Sequence, residues 1–395
     1  MRFMPLIMNK STFHSLLFLV YISLSLLRFI WPDQDFNSVI TTAIGLYALL
    51  SVRMDRRLRA LIVTFVFILL ISFFLSSMFN NRPERIVQSV FFILGSSGIA
   101  LLLTTGSVSL WSIRIAFYCM AIYFFYLISQ STDPMKAIFS SQNGISQMMF
   151  AGAISFYIIS NRLNRKIDLK PAFVTLLISI WAVGRSGILV SLVLLFGLMF
   201  LKTKRKLTRA IFLCSIVSII IFMAIPFYGD KALIAWFYGL FDYSFSVNAI
   251  LNYSKSFDST YTGRSDIIGY YFQNLDIFRI FFGVNPRTEY WPGGEFLNYN
   301  YHNSFIQMHS QIGFFGLIII ILLMISFFKF IIDNKVYSLL ILAFCLRWST
   351  DSYLFFEFFD FIPFFFIFMA FKSIKKEMST SSEKKKYSWS KGQFS

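Results

Sequence analysis

The feature of this chain that most limits its fold is a set of long apolar runs that recur from one end to the other. An α-helix rises 1.5 Å per residue, so about 20 apolar residues cross the roughly 30 Å hydrocarbon core of a bilayer. A transmembrane β-barrel would instead alternate apolar and polar residues, and runs such as Leu317–Phe328 do not alternate. Only 14% of the residues are charged, against about 25% in a typical soluble domain. The sequence therefore predicts an all-α, polytopic helical membrane protein.

The apolar runs predict about 12 transmembrane helices and one long loop. They divide the chain into residues 1–227 with nine spans, a loop over 228–310 with short helices, residues 311–371 with three spans, and a basic tail over 372–395. The predicted spans are 12–31, 36–52, 60–79, 86–104, 110–130, 145–160, 171–184, 186–201, 209–227, 311–328, 336–350 and 354–371.

The net charge of +17 could suggest a nucleic-acid partner, but the positions of the basic residues favour another reading. Most of them lie in short hydrophilic segments that alternate with mixed or acidic ones, as expected of topology determinants in a membrane protein. With twelve spans, this alternation places both termini in the cytoplasm and the long loop outside. Arg2 and Lys10 precede an apolar run that is longer than the core of a cleaved signal peptide, so we predict a retained signal anchor. No nucleic-acid partner is expected.

The cysteines and histidines give no metal or disulfide pattern. Cys119, Cys214 and Cys345 lie inside apolar runs, so we predict inert packing residues. His302 and His309 are seven residues apart and could share one helical face. Because no acidic or cysteine ligand lies at helical spacing beside them, we predict no metal site.

Arg185 is the most informative single residue among the predicted spans. The apolar run 171–201 is interrupted only by the Gly-Arg-Ser-Gly motif at 184–187. One continuous helix would put the basic segment 202–209 outside, against the positive-inside rule, whereas a hairpin keeps both basic flanks in the cytoplasm. Each arm would have only about 14–16 residues, or about 21–24 Å, so the tip would be recessed below the outer surface of the bilayer.

A guanidinium recessed in this way costs about 2.5–3.5 kcal/mol unless it meets water or an opposite charge. The hairpin therefore predicts a polar cavity at its tip, with an anionic ligand or a carboxylate facing Arg185. The alternative is an arginine that reaches up to the membrane interface, or that pairs with Asp351, Glu357 or Asp360 in the last outer loop.

The long loop carries the other candidates for chemistry. Residues 265–282 predict a short helix with one apolar face, and Thr262 and Ser265 are candidate caps for its start. Arg264 would then lie beside the free backbone N–H groups of a helix N-terminus, an arrangement that suits phosphate, or it would be an ordinary surface arginine. His302 lies where the loop re-enters the membrane, and it could act as a general base, donate a hydrogen bond or have a purely structural role.

Three motifs follow one another along the chain. They are Gly184-Arg185-Ser186-Gly187, then Thr262-Gly263-Arg264 followed by Phe282-Gly283, then His302-Asn303-Ser304-Phe305 leading to Gly313-Phe314-Phe315-Gly316-Leu317. In this order they resemble the motifs of the O-antigen polymerase and O-antigen ligase superfamily, membrane enzymes that assemble bacterial surface polysaccharides. The long outer loop between the ninth and tenth predicted spans is part of the same resemblance. One departure is Gln311, where the family often has an acidic residue.

The resemblance implies a GT-C-like fold and a metal-independent glycosyltransferase of the bacterial inner membrane, with no cofactor. Arg185 and Arg264 would match the two family arginines that bind the diphosphate of an undecaprenyl-linked glycan donor. His302 would match the histidine that faces the acceptor hydroxyl. Departure of a diphosphate builds negative charge, which two fixed guanidinium groups can stabilise. Asn303 and Asp351 are further substrate-binding candidates, Asp351 by orienting His302 or an arginine.

Within this family the sequence favours the polymerase, which transfers the growing glycan onto the next lipid-linked repeat unit at the periplasmic face. The expected partners are the lipid-linked donor and acceptor, membrane lipid and a chain-length regulator protein. The nearest alternative is the ligase, which attaches the polymer to the lipid A core; the lack of a second histidine just before His302 favours the polymerase.

An alternative from another class is a flippase for lipid-linked oligosaccharides. A transport path needs polar residues deep in several spans. The predicted spans are almost uncharged apart from Arg114 and Arg347, which favours an enzyme with its chemistry at the outer face.

Overall fold

The protein is helical throughout the part of the chain that the structure, a computed structural model, describes. The described residues are 9–30, 35–80, 86–105, 108–134, 142–228, 271–272, 275–284, 303–350 and 358–373. They are 87% helical and contain no strand, which confirms the all-α prediction. The helices are α1 (Lys10–Ile30), α2 (Asp35–Ser51), α3 (Arg56–Phe79), α4 (Ile86–Thr105), α5 (Leu110–Ser129), α6 (Gln142–Arg162), α7 (Lys170–Trp181), α8 (Arg185–Lys202), α9 (Lys206–Tyr228), α10 (Ile277–Phe282), α11 (Ser304–Ile312), α12 (Phe314–Asp333), α13 (Lys335–Ser349) and α14 (Phe361–Ser373).

Five of the described helices are long and apolar enough to cross a membrane. A helix also occupies at least part of every other run that hydropathy predicted, and four of these are shorter apolar helices. The positions of the helices are therefore confirmed, while the number of twelve spans and the extent of the loop over 228–310 stay predictions. The five segments are Lys10–Leu27, Arg56–Phe79, Leu110–Ser129, Arg185–Lys202 and Phe314–Asp333.

The helix in the tenth predicted span begins at Phe314, a few residues after the approximate boundary at 311. The chain turns at Gly313, which has a positive φ of 55° and separates α11 from α12. A side chain there would overlap the backbone carbonyl of Phe281. Only glycine adopts this backbone conformation at little cost, so α12 begins at Phe314.

The single helix predicted over residues 265–282 is also wrong, because Leu275 and Asp276 are not helical. The Asp276 carboxylate accepts a hydrogen bond of 2.7 Å from the backbone N–H of Arg279 and so caps the short helix α10. An aspartate side chain that caps a helix in this way stabilises a helix that begins after it, at the expense of a helix that continues through its own position. Residues 265–270 of that prediction, with the candidate cap Ser265, lie outside the described residues, as does Thr262.

The last helix lies within the bundle. Residues 361–368 of α14 are all buried, as expected for a helix that is apolar on every side. Aromatic rings from α1, α3 and α13 pack against it at centroid distances of 5.5–6.1 Å; the pairs are Phe18–Phe361, Phe65–Phe364 and Tyr337–Phe365.

The closest packing of two helices is between α2 and α4. Gly45 of α2 faces Gly95 and Gly98 of α4, and a Cβ added at Gly98 would overlap the Gly45 carbonyl oxygen. Small residues let helix backbones approach in this way, which replaces side-chain packing by backbone contact.

At one end of the bundle, two cations bind the carbonyl groups that end α4. The Arg162 guanidinium donates hydrogen bonds to the carbonyl oxygens of Leu103 and Val108, and Lys372 Nζ donates one of 3.0 Å to Thr104. A positive charge at a helix C-terminus complements the helix dipole. These contacts join the end of α4 to α6 and α14.

We predict that Gly98→Ala destabilises the protein by about 1–3 kcal/mol, the usual cost of overpacking a well-packed site, because a backbone carbonyl cannot move aside as a side chain can. The matched control is Gly152→Ala in α6, where the added methyl meets only the side chains of Phe117 and Met120, at 3.1 and 3.3 Å. Thermal unfolding of the purified protein in detergent measures both. Equal melting temperatures for the two variants would contradict the close approach of α2 and α4.

Candidate functional site

The run 171–201 folds as the predicted hairpin. Helix α7 ends at Trp181, α8 begins at Arg185, and the two pack against each other. The turn between them contains Val183 at a positive φ of 54° and Gly184 in an extended conformation. Arg185 is therefore the first residue of α8, and its side chain is exposed.

The two glycines of the motif at 184–187 allow the hairpin tip to lie directly on the start of α6. A Cβ at Gly184 would be 3.2 Å from both Asn143 Oδ1 and Ser146 Oγ, and one at Gly187 would overlap the Ser146 side chain. Larger residues at these positions would push the tip away from α6. The glycines of the motif thus have a packing role.

Arg347 of α13 is fully buried behind this tip. Its Nη2 donates hydrogen bonds of 3.1 Å to the Asn143 carbonyl and to Ser146 Oγ. Its Nη1 donates a bond of 3.0 Å to Ser186 Oγ, next to Arg185, and a longer one of 3.5 Å to Thr350 Oγ1. One guanidinium therefore connects α6, the start of α8 and the end of α13.

Sequence reasoning did not select Arg347 as a site residue. The available signal was an arginine in the last turn of the predicted span 336–350, where a charge is costly and is commonly satisfied inside a bundle. The hydrogen-bond partners of Arg347 could not be read from the sequence, because Ser186 and Asn143 are 161 and 204 residues away along the chain.

Asn303 also contacts the C-terminal end of α13. Its side-chain oxygen caps α11 by accepting hydrogen bonds from the backbone N–H groups of Phe305, at 2.9 Å, and Ile306, at 3.2 Å. Its Nδ2 donates a bond of 3.1 Å to the carbonyl oxygen of Ser349. We call the residues that meet here, namely Asn143, Ser146, Ser186, Asn303, Arg347 and Ser349, the outer polar cluster.

Two of the five predicted site residues therefore lie at one place. Arg185 adjoins the cluster through Ser186, and Asn303 is part of it. His302, Arg264 and Asp351 lie outside the described residues, although His302 precedes Asn303 in the chain and Asp351 follows Thr350. Of the carboxylates considered as alternative partners of Arg185, only Asp360 is described, and it is buried in a 3-10 turn that packs against α4.

A second group of polar contacts fixes residues 282–284, at the end of α10. Gly283 has a positive φ of 81°, and a side chain there would overlap the Ser310 carbonyl, to which the Val284 N–H donates a hydrogen bond of 3.0 Å. Asn80, which follows α3, donates a bond of 2.8 Å to the Phe282 carbonyl. The Phe282-Gly283 motif thus ties α10 to α3 and α11.

His309 is a structural residue of this second group. Its Nε2–H donates to the Ile280 carbonyl at 3.1 Å, so in the neutral ring Nδ1 accepts the hydrogen bond from the Tyr271 hydroxyl, at 2.5 Å. His309 lies in α11, whereas His302 lies outside the described residues, so the shared helical face of the two histidines stays a prediction. Among the described residues, no group of three or more histidine, cysteine, aspartate or glutamate side chains could hold a metal ion.

No protein-family model and no curated protein matches this chain. The family resemblance of the motifs therefore stays an expectation. What the chain does has to be inferred from its own residues and their geometry.

We predict that His309 makes stability sensitive to acid. Burial lowers the pKa of His309 from its usual 6.5, against the opposite effect of the hydrogen bond to Ile280. The unfolded chain then binds the proton more readily than the folded protein, so stability that is present above pH 6.5 is lost as the pH falls through that value towards the lower pKa.

Melting temperatures between about pH 7.5 and 5.5 test this prediction, with His309→Gln as the comparison. The variant should be less stable at neutral pH, because Tyr271 loses its acceptor, and should lose less stability on acidification than the wild type. Parallel pH curves for the two proteins would contradict the assignment.

Proposed function

We propose that this chain is a metal-independent membrane glycosyltransferase, a polymerase of the O-antigen type that acts at the periplasmic face of a bacterial inner membrane. The observation that carries the proposal is the outer polar cluster, which links the turn of Arg185 to Asn303, the neighbour of His302. A cation for a diphosphate and a base for a hydroxyl are what such a transfer needs at one place.

In the proposed reaction, an acceptor hydroxyl of the next lipid-linked repeat unit attacks the anomeric carbon of the donor glycan. The bond from this carbon to the diphosphate oxygen breaks, a glycosidic bond forms, and undecaprenyl diphosphate leaves with the electron pair. Arg185 and Arg264 stabilise the charge on the leaving diphosphate. His302 accepts the proton of the hydroxyl, and Asn303 and Asp351 bind and orient the reacting groups.

The exposure of Arg185 supports a role in binding an external ligand. The first turn of α8 adds the positive end of a helix dipole beside this guanidinium, which favours an anion. Both features suit a diphosphate headgroup held at the hairpin tip.

The position of Arg114 favours an enzyme over a flippase. Arg114, which the sequence places inside a span, is exposed on the surface of α5 and does not line the interior of the bundle. The polar contacts that involve Arg185 and Asn303 gather at the ends of helices, as expected for a site at a membrane face. Both termini are then cytoplasmic, and the partners are the lipid-linked donor and acceptor, membrane lipid and a chain-length regulator.

The decisive test is the surface lipopolysaccharide of a strain that lacks this gene, complemented with wild type, His302→Ala or His309→Gln. We expect the deletion and His302→Ala to give core with a single repeat unit, while His309→Gln restores a ladder in proportion to its folded level. Bare core with long polymer retained on the carrier would indicate the ligase, and single repeats trapped on the cytoplasmic side would indicate a flippase. A normal ladder in the deletion strain would contradict the proposal.

We further predict that Arg185→Lys removes most of the activity. Lysine keeps the charge but loses the planar fork that holds phosphate through two hydrogen bonds. Product length in the complemented strain, at a protein level matched by immunoblot, measures the effect. Arg114→Lys, an exposed arginine on α5, is the control and should leave product length unchanged. Wild-type ladders from Arg185→Lys at normal protein level would exclude a diphosphate contact at the tip.

A further inference from the structure

We infer that Arg347 is a positioning residue: it holds the turn of Arg185 and the cap of Asn303 in one fixed relation through the end of α13. This inference rests on the proposed function, because it assigns a role in the proposed transfer to a residue that touches neither donor nor acceptor. Arg347 is fully buried, so it acts only through the groups that it binds.

The first step is the geometry of the guanidinium. Arginine offers five N–H donors in a planar fork. Here the two ends of the fork point to different elements: Nη2 to Asn143 and Ser146 of α6, and Nη1 to Ser186 of α8. A lysine ammonium has a single nitrogen on a flexible stem and cannot hold both elements at these distances.

The second step is the link from Arg347 to Asn303. Arg347 and Ser349 lie in the last turn of α13, and the Ser349 carbonyl accepts the hydrogen bond from Asn303 Nδ2. Any displacement of this turn therefore changes the positions of both the hairpin tip and the start of α11. His302, which we propose as the base, is covalently attached to that start.

The third step is the energetic cost of the arrangement. Burying a guanidinium in a membrane protein is costly, and apolar replacements of buried ionic groups are often neutral or stabilising in soluble proteins. An arginine in this place contributes a specific geometry more than it contributes stability. Catalysis of a transfer between two bound substrates depends on such geometry, because small misplacements of the reacting groups lower the rate steeply.

Hydrogen exchange measured by mass spectrometry on the purified full-length protein tests the coupling without an activity assay. We expect Arg347→Lys to accelerate exchange about tenfold in two separate peptides, residues 184–188 and 303–307, which is the factor expected for loss of a charge-assisted hydrogen bond. The relevant amides are those of Ile188, Phe305 and Ile306.

The matched control is Arg162→Lys, which alters the half-buried arginine at the opposite end of α6. It should accelerate exchange near the end of α4 and leave residues 184–188 and 303–307 unchanged. Unchanged exchange in either of these two peptides in Arg347→Lys would overturn the inference, because one of the two links would then be absent.

Kinetics of the reconstituted enzyme test the positioning role itself. We expect kcat/KM per folded molecule to fall about tenfold in Arg347→Lys, and the double variant with Ser186→Ala to fall no further, because both changes break the same contact. A purely structural role would reduce the yield of folded protein and leave kcat/KM per folded molecule unchanged, which would overturn the inference. If the wild type transfers no glycan while exchange accelerates in both peptides, the proposed function fails and the mechanical coupling stands.

Discussion

The buried guanidinium of Arg347 is the interaction on which this end of the bundle depends. This single planar group donates hydrogen bonds to the start of α6, to the hairpin tip and to the end of α13. The donor–acceptor distances are 3.0–3.1 Å for its three closer partners outside α13. A buried charge is stable only when hydrogen bonds replace its hydration. The positions of the arginine and of its hydrogen-bond partners therefore depend on each other. The position of Arg185 follows from this constraint, because its neighbour Ser186 is one of the partners.

Glycines provide a second constraint, because they allow the backbones of neighbouring elements to approach each other closely. Gly184 and Gly187 let the hairpin tip lie on α6, and Gly283 lets the residues that follow α10 lie against the end of α11. The motifs that resemble those of a polysaccharide polymerase thus contain two kinds of residue. The glycines bring elements together, and the polar residues between them are the candidates for the proposed chemistry.

Stabilising contacts and the proposed site are separated along the bundle. At one end, Arg162 and Lys372 donate hydrogen bonds to carbonyl groups at the end of α4, and these bonds involve neither Arg185 nor Asn303, the two predicted site residues that the structure describes. The middle is a dense aromatic core around α14. The other end holds the outer polar cluster, where directional hydrogen bonds replace apolar packing. Directional bonds place a side chain more accurately than apolar contacts do, which is what a transfer between two large substrates requires.

The sequence by itself determined where the helices lie and that residues 171–201 fold back at the Gly-Arg-Ser-Gly motif, because hydropathy and the distribution of charge are local properties of a membrane chain. It missed the helix start at Asp276, where a side-chain cap overrides the apolar pattern, and it did not show the left-handed turn at Gly313 that precedes α12. It also passed over Arg347. Only the tertiary structure decided that this arginine, Ser186 and Asn143 meet. Contacts between residues more than 160 positions apart depend on how whole helices pack, and they produce no periodic pattern in the sequence.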